Sequence, residues 1–101
     1  MIGEPKRVDD DATARRAEVQ RLLGRVLAMS AELGERAAPV DAAQLDDDPV
    51  RASFEAAAVA PIGPLDAQRL LELDDPGERF GQLEGLLVDT AEVLQLRLAE
   101  G

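Results

Sequence analysis

The chain contains no cysteine, histidine, tyrosine or tryptophan, and Phe54 and Phe80 are its only aromatic residues. Without cysteine there is no disulfide framework and no thiolate chemistry, which leaves the redox compartment open. Without histidine or tyrosine, and with Lys6 as the only lysine, the usual bases and activated nucleophiles are missing. Basic residues are also scarce: 11 against 21 acidic ones, a formal net charge of -10. That balance repels phosphate backbones and anionic lipid alike, so neither nucleic acid nor membrane is an expected partner. The longest apolar run, Ala56 to Ile62, is far shorter than a membrane span, and the first residues lack the layout of a signal peptide. A cytoplasmic protein is the expectation.

What is present is alanine and leucine in quantity, with few β-branched residues, a mixture that favours helix. At 101 residues one modest core is possible. Residues 1–11 combine Gly3, Pro5 and Asp9-Asp10-Asp11 and read as a flexible arm ending in a cap. From about Ala12 to Ala37 the apolar positions Val19, Leu22, Leu23, Val26, Met29, Leu33 and Ala37 recur at helical spacing. Glu18, Arg21, Arg25, Glu32, Glu35 and Arg36 fall opposite, with Glu32 and Arg36 spaced for an i,i+4 pair, and Gly34 and Pro39 close the helix. A polar connector leads to Asp48-Pro49, a cap followed by a proline suited to the first helical position, and to a second helix over 49–59 with Val50, Phe54 and Ala57 inward. Gly63-Pro64 restarts the chain as a short third helix burying Ala67, Leu70 and Leu71. Asp75-Pro76 repeats the Asp-Pro device, with Glu78 in capping-box register. Phe80, Leu83, Leu87, Ala91, Leu94 and Leu98 then form a stripe that Leu86 and Val93 widen on one flank. The expected fold is all-α: an irregular antiparallel four-helix bundle, long, short, short and long.

The chemically suggestive groups have simpler readings. Ser30 and Ser53 are the only serines, and Ser30, on an apolar face, is expected to bond back to the preceding turn. The acidic runs 9–11 and 46–48 lack the spaced ligands of a calcium loop and read as caps in solvated linkers. Arg15, Arg16, Arg21 and Arg25 are interleaved with Glu18 and read as a mixed solvated face. No catalytic, cofactor-binding or metal site is assigned. Leu86 and Val93 are the candidate protein-contact residues, since an apolar flank on an outer helix is either core or a docking surface.

Taken together, Asp48-Pro49, an alanine-rich helix, Ala60-Pro61-Ile62-Gly63-Pro64-Leu65-Asp66, the short helix ending Leu70-Leu71-Glu72, Asp74-Asp75-Pro76 and Glu78-Arg79 opening a leucine helix form a pattern. It resembles the C-terminal helical half of the Lon protease N-terminal domain, the LON substrate-binding domain, over about residues 48–98. Stand-alone LON-domain proteins of actinobacterial type are similar. The first helix corresponds only in position and amphipathic character. The resemblance implies a bacterial, non-catalytic piece of an ATP-dependent protease La-type substrate-binding domain that contacts unfolded or tagged polypeptide. It also implies a PUA-like β-barrel ahead of the helices, which this sequence lacks. Residues 2–8 are then the expected tail of a last barrel strand and residues 12–99 a helical subdomain, in a piece of a longer protein. The Gly-Lys-[Ser/Thr] phosphate loop and the Ser-Lys dyad of full-length members are absent, so no enzymatic role is carried over. The expected partners are polypeptide or that barrel, with a homodimer of a purely structural bundle as the alternative.

Overall fold

The computed structural model describes residues 4–35 and 38–100, with side chains from Thr13 onward. It is an all-α bundle of four helices: α1 (Glu4–Glu32), α2 (Pro49–Val59), α3 (Pro64–Glu72) and α4 (Pro76–Glu100). A short 3-10 turn, Val40–Ala43, interrupts the first connector. No strand occurs among the described residues.

The helix starts follow from local chemistry. Asp48 accepts the Arg51 N–H at 3.3 Å and Asp75 accepts the Glu78 N–H at 3.0 Å, and in each case a proline follows the cap. Each carboxylate satisfies a first-turn donor that has no partner within the helix. At the end of α1, Gly34 adopts φ 75°, its N–H reaches Ala31 O at 3.0 Å and the Glu35 N–H reaches Ser30 O at 3.0 Å. This is a Schellman closure, whose left-handed position favours glycine.

The arm expected over residues 1–11 is overturned where it is described, because α1 begins at Glu4 and runs through Asp9–Asp11. Pro5 lies in the first turn, where a helix makes no use of the backbone N–H, so it opens the helix instead of barring it. Residues 4–8 are accordingly not a strand tail; residues 1–3 lie outside the described ones. Arg36 and Ala37, and with them the proposed Glu32–Arg36 pair, also lie outside.

The core joins Val19, Leu22, Leu23, Val26, Leu27 and Met29 of α1 to Phe80, Leu83, Leu87, Ala91 and Leu94 of α4, all buried. Removing each large side chain from water contributes about 1.5–3 kcal/mol. The two long helices run parallel, where an antiparallel arrangement was expected. Arg15 meets Glu84 at 3.9 Å at one end, and Glu35 pairs with Arg97 at the other. The connectors explain this direction. The Leu45 N–H donates to Gln20 Oε1 at 3.0 Å, so the chain leaving α1 descends to the middle of that helix before α2 begins. Then α2 rises, and α3 returns to the level of Arg79, whose Nε–H donates to Leu70 O at 2.9 Å. Three helices therefore share one direction, and α3 alone opposes them.

Close approach is needed in two places. The buried face of α2 is Ala52, Ser53, Ala56 and Ala57, small groups that admit the helix against its neighbours. Val50 and Phe54, expected inward, consequently point to solvent. At Gly81 a Cβ would come within 2.9 Å of Arg15 Nη1, so glycine lets that guanidinium lie across α4.

Candidate functional site

Val93 and Leu86 lie two turns apart on α4 but meet different surroundings. Leu86 is half-buried and packs against the core, whereas Val93 is 53% exposed. Val93 lines a groove of about 310 Å³ between the end of α1, the α2–α3 connector and α4. Pro61 and Leu94 supply apolar walls, and the Glu35–Arg97 ion pair and Asp89 stand at its edge. Ser30 also lines it, 1% exposed, and its hydroxyl has no hydrogen-bond partner among the described residues. The expected back-bond to the preceding turn is therefore not made. Thr90, by contrast, does make one, donating to Leu86 O at 2.8 Å. A buried hydroxyl left unbonded costs about 1–3 kcal/mol of desolvation.

A second hollow, about 490 Å³, lies over the first turn of α4 beside Arg15 and Gly81. The residues that line it are charged or polar apart from the two glycines.

No protein-family model matches this chain, and no curated protein or solved structure does.

Arg79 is the residue that the amphipathic pattern left unexamined. It is 2% exposed, its Nη1 donates to Ser53 Oγ at 2.7 Å, its Nε to Leu70 O at 2.9 Å and its Nη2 to Leu73 O. The guanidinium carbon lies 4.2 Å from the centroid of the Phe54 ring. The two carbonyls are at the end of α3, where the C=O groups carry partial negative charge; Leu70 O also accepts the Leu73 N–H at 3.2 Å. Arg79 thus caps α3, stacks on α2 and belongs to α4. Ser53 passes the bond on, donating to Val50 O at 2.8 Å. The signal was visible in the sequence: Arg79 occupies the same helical register as Leu83 and Leu86, an apolar position held by a cation.

The remaining charged groups have local roles. Asp46 Oδ1 accepts the Asp48 N–H at 2.9 Å, and its other oxygen lies 3.8 Å from Arg51. Asp46 and Asp48 thus form a turn and cap. On α1, Arg16 donates to Gln20 at 3.2 Å. Arg21 donates to Glu18, and this hydrogen bond, reinforced by the nearby positive charge, holds the Glu18 carboxyl below the usual carboxylate range. Among the described residues no helix is long and apolar enough to cross a membrane.

Proposed function

We propose that this chain is a non-catalytic protein-contact module, the helical part of a LON-type substrate-binding domain, and that the Val93 groove receives an apolar side chain of an extended polypeptide. The observation that carries the reading is the pairing of half-exposed Val93 with the unbonded Ser30 hydroxyl in one groove. An apolar side chain would bury surface against Val93, Leu94 and Pro61, and the Ser30 hydroxyl, covered in the free chain, would gain a peptide N–H or C=O as partner as the groove opens around the ligand. The resemblance of residues 48–98 to the helical half of LON domains supports polypeptide as the occupant. With so shallow a groove, dissociation constants on the order of micromolar or weaker are expected.

The test is titration of labelled apolar peptides against the chain and its variants. Val93→Asp should abolish binding and change stability by less than about 0.5 kcal/mol, since the side chain stands half in water. Leu86→Asp should instead destabilise by more than about 2 kcal/mol, because its side chain packs against the core. Peptides that remain unbound at millimolar concentration would count decisively against the proposal. A second reading, a bundle that dimerises, is favoured by Val88 and Leu96, which α4 leaves exposed. It requires concentration-dependent sedimentation that Leu96→Glu suppresses.

A further inference from the structure

Phe54 is one of only two aromatic residues, and it stands 43% exposed at the surface. Its position is fixed from beneath, because Arg79 holds the ring at 4.2 Å from its guanidinium carbon while bonding the carbonyls of Leu70 and Leu73. The ring is thereby pinned beside the last turn of α3. In that turn Leu71 is exposed, and one helical turn before Phe54 on the same face of α2 Val50 is exposed too. Three exposed large apolar residues thus lie on α2 and on the last turn of α3, at the end of the bundle where α2 and α4 begin and α3 ends. Exposed carboxylates border them: Asp47 and Asp48 lead into α2, Glu72 ends α3, and Asp74 and Asp75 lead into α4. Of the cations in these segments Arg79 is buried, and Arg51, which faces Asp46 at 3.8 Å, and Arg69 of α3 are on the surface, so the five carboxylates outnumber the exposed cations.

We infer that this end of the bundle docks a basic amphipathic helix of a partner protein. Its apolar stripe would cover Val50, Phe54 and Leu71, and its lysines and arginines would meet the bordering carboxylates. Charge selects this occupant. A second copy of the chain would bring the same carboxylates against themselves, and nucleic acid or anionic lipid would be repelled by them. A rigid aromatic held by a buried cation is also the kind of pre-ordered anchor on which binding energy concentrates. The surface is separate from the Val93 groove: Val93 lies fourteen residue steps beyond Arg79 on α4, about 21 Å along the helix.

The test uses an amphipathic helical peptide of leucine and lysine and its leucine–glutamate counterpart, titrated calorimetrically against the whole chain. Leu71→Lys and Val50→Lys change the surface without touching the Arg79 bonds. Val88→Lys adds the same charge at an exposed site about 14 Å further along α4 than Arg79. The leucine–lysine peptide should bind at low salt and weaken as salt rises. Either surface variant should weaken it at least about tenfold, and Val88→Lys less than about twofold. Circular dichroism identifies a variant that fails to fold, and the other then gives the same comparison. Equal losses in Val88→Lys and the surface variants would reduce the effect to net charge and overturn the inference. So would equal affinity for the glutamate peptide, or no binding of the lysine peptide at low salt.

Discussion

Arg79 Nη1 lies 2.7 Å from Ser53 Oγ, and this bond joins the first turn of α4 to the second turn of α2 in the interior. Among the described side chains no carboxylate accepts from the guanidinium. Its charge is met by two C-terminal carbonyls of α3, a serine oxygen and the face of Phe54. A planar fork with donors in fixed directions can serve all of these at once, which an ammonium on a flexible stem cannot.

Arg79→Met should therefore destabilise the fold by about 2–4 kcal/mol. Ser53 Oγ and Leu73 O lose the guanidinium as donor and Leu70 O keeps only the Leu73 N–H, while relief of the cation's desolvation offsets part of that loss. Arg79→Lys should recover less than half of it. Urea denaturation monitored by circular dichroism measures both, and a Met variant within about 0.5 kcal/mol of the parent would refute the bridging role.

Gly34→Ala places a Cβ on a residue at φ 75°. Nothing crowds the position, so the cost is purely conformational, about 1 kcal/mol. A variant as stable as the parent would mean that the Schellman closure contributes nothing.

Ser30→Ala should be neutral or stabilising by up to about 1 kcal/mol, because it removes a buried hydroxyl that has no partner. Peptide affinity should fall in the same variant if the hydroxyl bonds the ligand. A destabilised variant would reveal a bond that the hydroxyl makes in solution.

Glu18 should titrate below the ordinary glutamate value of about 4.3, with Arg21→Ala restoring it. Because the folded value is depressed, the pair's contribution to stability is present above the unfolded value and lost as pH falls through the folded one. Both side chains are solvent-exposed, so the stability effect is small and side-chain NMR titration is the suitable readout. An unshifted Glu18 carboxyl would show that the pair does not persist.

The helix boundaries were largely legible in the sequence. Asp48-Pro49 and Asp75-Pro76 start α2 and α4 as their chemistry requires, and Gly34 ends the closing turn of α1. The stripe from Phe80 to Leu94 is buried as its spacing implies. These are local matters, decided by a few neighbouring residues. The start of α1 was misread because Pro5 and three aspartates favour a break in a helix interior but are tolerated near its beginning. For the contact residues the sequence identified an apolar flank but could not divide it into Leu86, which the core covers, and Val93, which it does not.

Composition and capping signals alone determined that the chain is helical, where three of its four helices begin and how the first one closes. Only the tertiary structure decided that α1 and α4 run parallel, that Phe54 faces outward and that Arg79 lies inside. Direction depends on the path of the connector that brings Leu45 back to Gln20. Which face of α2 is buried depends on the width of the gap between its neighbours, and that gap admits Ala52, Ser53 and Ala56 but not a phenyl ring. Both are properties of distant segments meeting, on which periodicity within one helix is silent.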